Sequence, residues 1–269
     1  MNMQIKLKTD TENFLHTNPA LYLAFYRDPN LCTAHFIHAL LAEYKAGKKV
    51  LDIGSGLGRE VAYLNSMGYE ATGLDNSQEM LSWAKEHYPA SPFVYGDQAD
   101  FSLNQQFDAL FCVGSTFLYN FSNEAVLSSL QCFRKHLHNG GLLYLDMRNA
   151  AFFLTKEGQR WLTEDLAEQT IFEDTVVTLK TRFSIDLANQ ILQRDYSWTV
   201  TGWPPIIEHL RHRLFFPQEL TNYLSSCSFR LLQIFDNPTP HAGKYDRQSP
   251  FVFSNEMLGT RMQVIAQAV

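Results

Sequence analysis

The segment Lys48-Lys49-Val50-Leu51-Asp52-Ile53-Gly54-Ser55-Gly56-Leu57-Gly58-Arg59-Glu60 changes character twice within thirteen residues. Val50, Leu51 and Ile53 are apolar and largely β-branched, the composition of a short buried strand that ends near Ile53. The glycines that follow fit no regular element comfortably and demand a turn. Val61, Ala62, Tyr63 and Leu64 then resume at helical spacing after Glu60. Strand, glycine turn and helix in this order direct unpaired helix N–H groups back across the turn, a geometry that receives a ligand.

The spacing narrows the ligand. A dinucleotide fingerprint, G-x-G-x-x-G, requires its third glycine at position 59, where Arg59 stands. The pattern present is D-x-G-x-G-x-G, opened by Asp52 and carried by Gly54, Gly56 and Gly58, and in this it resembles the class I S-adenosylmethionine-dependent methyltransferases. A carboxylate at the strand end suits a cationic group better than a pyrophosphate, and S-adenosylmethionine carries an α-amino group and a sulfonium. Taken alone, the glycines also fit a turn that merely joins strand to helix.

Downstream residues extend the resemblance. The second strand, Glu70 to Leu74, ends in Asp75-Asn76, and an acidic residue about 20 positions beyond the glycine turn is placed to accept both hydrogen bonds of a ribose diol. Asp75 also fits a helix N-cap beside Ser77. Met80 falls one turn into the next helix, Ser77 to Tyr88, where its thioether lies against adenine or packs in the core. A third strand runs from Phe93 to a turn at Gly96-Asp97-Gln98. The resemblance implies that Asp97, with Gln98, meets the adenine amino group; a solvated turn is the alternative.

Phe107 to Val113 reads as the fourth strand, followed by Gly114-Ser115-Thr116-Phe117-Leu118-Tyr119-Asn120. In an open parallel sheet ligands bind beyond the strand C-termini, which places Val113 and Gly114 beside the cofactor. Tyr119 and Asn120 offer a hydroxyl and an amide to orient an acceptor, although Asn120 also fits a local cap. A helix from Glu124 to His138 ends at Asn139-Gly140-Gly141. The fifth strand, Leu142 to Leu145, leads into Asp146-Met147-Arg148-Asn149, and this D-x-R-N run resembles glycine and sarcosine N-methyltransferases, in which the Arg and Asn region borders the substrate.

Before the glycine turn, Asn18 to Lys45 reads as helix broken at Asp28-Pro29-Asn30. Tyr22 and Tyr26 share one face, which either packs as core or covers the substrate. After Asn149 the alternation of strand and helix gives way to period-two segments between Thr170 and Phe215, with a turn at Ala188-Asn189-Gln190. His209, Arg211 and Arg213 share a face of the last of these. Facing the crevice, the two arginines bind a substrate carboxylate or phosphate; facing outward, they are a solvated surface. A helix from Pro217, a strand to Phe235, a long polar loop at 237–250 and a strand from Met262 to Ala266 complete the chain.

The expected architecture is α/β: a doubly wound, seven-stranded Rossmann-like methyltransferase sheet with an inserted antiparallel β lid after the fifth strand. The expected divisions are a helical cap at 1–47, a cofactor-binding domain at 48–150 and 214–269, and a substrate lid at 151–213. The 269 residues, 45% hydrophobic, suffice for a large core. A net charge of −6 argues against a broad basic nucleic-acid-binding face. Cys32, Cys112, Cys132 and Cys227 are scattered, with neither disulfide nor metal spacing. No secretory signal or membrane span is evident, so a cytoplasmic location is expected.

The function implied is methyl transfer from S-adenosylmethionine, with S-adenosylhomocysteine as product, to a small-molecule amine nitrogen by in-line displacement. No metal is expected, and the oligomeric state is open. An O-methyltransferase, with His209, His212 or His241 accepting the proton, is the alternative within the class. A nicotinamide-dependent oxidoreductase is disfavoured by the missing glycine, and a non-catalytic protein that binds the cofactor in a regulatory role is the alternative of another class.

Overall fold

The structure, a computed structural model, describes residues 7–9, 13–240, 245 and 251–269. The central sheet begins with β1 (Lys49–Ile53), which hands the chain through the glycine turn to α3 (Arg59–Ser66) and then to β2 (Glu70–Asp75). It continues with α4 (Gln78–His87), β3 (Phe93–Tyr95), β4 (Phe107–Cys112), α5 (Asn123–His136) and β5 (Leu137–Arg148). After an insertion come α7 (Pro217–Ser226), β10 (Phe229–Phe235) and β11 (Arg261–Ala268). Two helices precede the sheet, α1 (Pro19–Phe25) and α2 (Cys32–Glu43).

The seven strands lie in the order β10-β11-β5-β4-β1-β2-β3. β5, β4, β1, β2 and β3 are parallel, whereas β11 enters antiparallel between β10 and β5. Alternate strand residues feed two apolar layers, which is why the strands read as continuous hydrophobic runs. Val50, Ala109, Phe111 and Tyr144 meet α2, α3 and α4 on one face. Leu51, Leu110, Cys112 and Leu145 meet α5 and α7 on the other. Reversal of strand order beside β1 opens the crevice at the strand C-termini. A cavity of about 540 Å³ lined by Lys49, Glu70 and Phe107 sits at the opposite, N-terminal end of the strands.

α5 stops at His136, two residues earlier than its sequence indicates, and β5 begins at once at Leu137. Gly140 takes a φ of +83°, so Asn139-Gly140-Gly141 bends an already extended chain and does not terminate a helix.

The antiparallel insertion is present, with four strands where the sequence indicates three: β6 (Leu166–Phe172), β7 (Thr175–Asp186), β8 (Ile191–Val200) and β9 (Ile206–Arg213). A short helix, α6 (Lys156–Thr163), leads into it. β6 turns into β7 through Glu173 and Asp174, both at positive φ (46° and 60°), the geometry of a two-residue hairpin without its usual glycine. One face of this sheet packs on the N-terminal segment and α1, with Trp198 fully buried against Phe14 and Phe25. None of the four cysteines is in a disulfide, and all are buried. Among the described residues no helix is long and apolar enough to cross a membrane.

Candidate active site

The glycine turn sits directly over the C-terminal ends of β1 and β2. Backbone N–H groups of Gly54 and Ser55 both donate to the Leu74 carbonyl, at 2.7 and 3.0 Å. Asp75, at the end of β2, accepts from Gly56 N through Oδ2 (2.7 Å) and from Ser77 N through Oδ1 (2.8 Å). Ser77, in turn, caps α4 by accepting from Met80 N. Gly54, Gly56 and Gly58 all have positive φ (75°, 49° and 75°). A Cβ on Gly54 would collide with Thr116 at 2.4 Å and one on Gly58 with Phe93 at 2.5 Å, whereas one on Gly56 would meet nothing within 4 Å. Gly56 therefore leaves open space that a ligand can fill, and so does Gly114 (φ +69°) after β4.

Three carboxyl groups surround this turn. Asp52 is 1% exposed, Glu60 and Asp75 each 9%. Burial pushes Asp52 well above the ordinary carboxylate range, and the neighbouring Glu60 and Asp75 push it further. Asp52 Oδ1 is buried without a hydrogen-bond partner, as are Ser55 Oγ and Gln98 Oε1. Crowded carboxyl groups with an unused acceptor fit a cationic group, not a phosphate. Asp97 is exposed and accepts from Ala99 N and Asn76 Nδ2, and Gln98 Nε2 donates to the Thr116 carbonyl. Met80 is buried and Val113 half-buried.

Opposite this acidic end, side chains from α1, the end of β5 and the inner face of the inserted sheet gather into one cluster. Tyr26 is 43% exposed, yet burial raises its hydroxyl above the ordinary phenol range. Half-buried Tyr22, His16 and Arg148 behave alike: burial raises Tyr22 to about 12, lowers His16 to about 4 and lowers Arg148 to about 10. Tyr22 contacts both Tyr26 and His16, with ring centroids 4.8 and 5.6 Å apart. From the inserted sheet come Arg194, Tyr196 and His212. Arg194 donates to the Tyr196 and Tyr119 hydroxyls at 3.1 and 3.3 Å, and the His212 ring lies edge-on to Tyr119 at 5.0 Å. Burial, then the charges of Arg194 and Arg148, hold His212 well below its ordinary value.

Several expected site residues lie elsewhere or are otherwise engaged. Asn120, 3% exposed, donates to the Phe117 carbonyl and accepts from Ser129 Oγ, so its amide braces the turn after β4. Asn149, fully buried, donates to the carbonyls of Met257 and Gly259 and accepts from Ala151 N, anchoring the segment before β11. Arg211 points outward over Phe121, because the inner face of β9 carries Glu208, Leu210 and His212. His209 shares that outer face and pairs with Asp195. Arg213, at the strand end, is buried by α7 through Glu219 and Tyr223. His241 lies outside the described residues. Arg194, Tyr196 and His16 were not anticipated; Arg194 and Tyr196 share the two-residue period of Trp198, which marks the inner face of β8.

Residues 50–141 match the family model described as "Methyltransferase domain". The fold around this segment is that of solved S-adenosylmethionine-dependent methyltransferases. A glycine/sarcosine N-methyltransferase of Aphanothece halophytica is 33% identical over 120 residues, covering 42% of this chain and 45% of that protein. A trans-aconitate 2-methyltransferase of Delftia acidovorans is 35% identical over 91 residues, 33% of each chain. The chain thus aligns with less than half the length of these curated relatives. A sugar N-methyltransferase from Streptoalloteichus shares the fold over 100% of this chain and 99% of its own, with a TM-score of 0.76 at 16% identity.

Proposed function

We propose that the protein transfers a methyl group from S-adenosylmethionine to an amine nitrogen of a small molecule, in the cytoplasm. The observation that carries this reading is the position of the cluster: Tyr22 feels the charges of Glu60 and Asp75 at the glycine turn, and Tyr26 feels Tyr196 and Arg148 at the inserted sheet. Side chains gathered between α1 and an inserted sheet suit a metabolite better than a nucleic acid or a protein segment. Asp52, Asp75, Gln98 and the Gly56 and Gly114 backbones are the groups that fit the cofactor, which supplies a methyl carbon on a good leaving group. Asp97, Asn76 and Met80 belong to the same set.

The chain's own task is then alignment and exclusion of water, and positioning of this kind contributes up to about 7 to 11 kcal/mol to a barrier. An amine must present a free lone pair. His16 and His212 are neutral near pH 7, so each has a ring nitrogen able to accept an amine N–H, and Tyr119 has a hydroxyl beside them. Tyr22 and Tyr26 form the wall toward the glycine turn. The relatives named as N-methyltransferases support nitrogen as the acceptor.

A second reading, an O-methyltransferase, rests on His212 Nδ1, which is buried without a partner and can accept a hydrogen bond from a hydroxyl. One relative is named for trans-aconitate. S-adenosylhomocysteine release, measured with cell extract split by size and then with panels of amines and alcohols, tests both. Turnover with the metabolite fraction and with amines supports the proposal. Turnover only with alcohols moves it to the second reading, and turnover only with macromolecules overturns it.

A further inference from the structure

The basic end of this cluster holds two guanidinium groups without a hydrogen-bonded carboxylate. Arg194 is 6% exposed, each of its terminal nitrogens gives one N–H to a phenol oxygen, of Tyr196 or Tyr119, and keeps a second, and its Nε is buried without a partner. Arg148 Nε is also buried without a partner, and the guanidinium lies over the Phe183 ring at 5.3 Å. Phe183 is paired with Arg194 in the β7–β8 register, so the aromatic surface that carries one arginine is the cross-strand neighbour of the other. The two cations feel one another, since Arg194 is among the causes that lower Arg148, after burial.

The nearby carboxylates are committed elsewhere. Asp146 takes Arg261 through both oxygens. Glu208, whose charge Arg194 feels, accepts from Trp198 Nε1 at 2.6 Å and from Phe14 N, and no hydrogen bond joins it to Arg194. Burial and the charge of Arg194 disfavour the charged form of Arg148, and that cost is offset when an anion enters. The phenol oxygens that accept from Arg194 keep their own O–H groups to donate. Guanidinium forks with flanking hydroxyls match the geometry of a planar or tetrahedral oxyanion.

Resting on the methyl-transfer reading, we infer that the acceptor carries a carboxylate or phosphate group, held by Arg148 and Arg194 with the Tyr119 and Tyr196 hydroxyls. Such an acceptor places its anionic end at the inserted sheet and its nucleophile toward the glycine turn. Uncharged amines then bind poorly, whatever their shape.

The test uses the full chain saturated with S-adenosylhomocysteine and titrates inorganic phosphate, acetate and, as the uncharged control, acetamide by calorimetry. The expected result is saturable binding of at least one anion, none of acetamide, and at least tenfold weaker anion binding in both Arg148→Met and Arg194→Met. Whether phosphate or acetate binds more tightly identifies the group on the acceptor. Each variant is first required to bind S-adenosylhomocysteine within threefold of the parent. Where a methionine variant does not, the lysine variant at that position, which keeps charge without the fork, must show the loss to a smaller degree. No anion binding, or a loss confined to one arginine, overturns the two-arginine site. Failure of the parent to bind S-adenosylhomocysteine overturns the methyl-transfer reading instead.

Discussion

Asp75 Oδ2 accepts the backbone N–H of Gly56 at 2.7 Å, so the carboxylate that ends β2 holds the turn that ends β1. Its other oxygen accepts from Ser77 N and sets the start of α4. Asp75→Ala leaves two partly buried N–H groups unpaired, each worth about 1 to 3 kcal/mol. The expected outcome is a lower melting temperature and at least a tenfold loss of S-adenosylhomocysteine affinity. Asp75→Asn keeps one acceptor and falls between, as calorimetry on the three proteins will show.

Gly58 and Gly56 separate stability from binding. Gly58→Ala forces φ +75° on alanine and a Cβ to 2.5 Å from Phe93 and 3.0 Å from Ala84, so it should cost at least about 1 to 2 kcal/mol in denaturant unfolding. Gly56→Ala meets no atom within 4 Å, and its methyl projects into the space left for the ligand. It should lose affinity for S-adenosylhomocysteine more than it loses stability. Equal effects of the two substitutions on unfolding would contradict this assignment.

Asp52 makes both stability and binding depend on pH, in opposite directions. Its carboxyl is held above the ordinary value of 3.8, by burial first and by Glu60 and Asp75 next. The folded chain therefore keeps this proton more tightly than the unfolded chain. Its contribution to stability is present below pH 3.8 and lost as pH rises through the folded-state value. Binding of a cationic ligand favours the ionised form and should strengthen over the same rise. Asp52→Asn should flatten both trends and weaken S-adenosylhomocysteine binding at neutral pH; melting curves and titrations from pH 4 to 8 provide the check.

Glu208 ties the N-terminal segment to the inserted sheet through Phe14 N and Trp198 Nε1. Glu208→Ala orphans both donors and should loosen the segment ahead of α1. Limited proteolysis should then cut before Pro19 faster than in the parent, while S-adenosylhomocysteine affinity changes little. Unchanged cleavage would show that packing of Phe14 on Trp198 alone holds the segment.

Local chemistry explains what could be read from the chain and what could not. The strand from Val50 to Ile53, the three glycines and the acidic residue ending β2 are contiguous signals, and the parallel sheet follows from them. β6 escaped because Ala167, Glu168 and Gln169 are all exposed and its turn at Glu173-Asp174 lacks a glycine. Asn120 and Asn149 have the right residue type at the right strand ends, but partners such as Ser129 and Met257 are distant in sequence. For β9, His209 and Arg211 lie on the exposed face while Arg213 is buried at the strand end, and the burial of Glu208 and His212 decided which face is inner. That choice depends on what the sheet covers, namely Phe14, α1 and the crevice.

The antiparallel entry of β11 between β10 and β5 bears on how the chain is made. β5 is complete at Arg148, yet its outer edge pairs only when Arg261 to Ala268 arrive. At about 5 to 20 residues per second, the intervening synthesis takes on the order of ten seconds. Throughout that interval Leu142 to Met147 offer an open apolar edge to any neighbouring chain. The growing polypeptide is thus most exposed to mispairing while the inserted sheet is being translated, and a chaperone acting on it would find its task there.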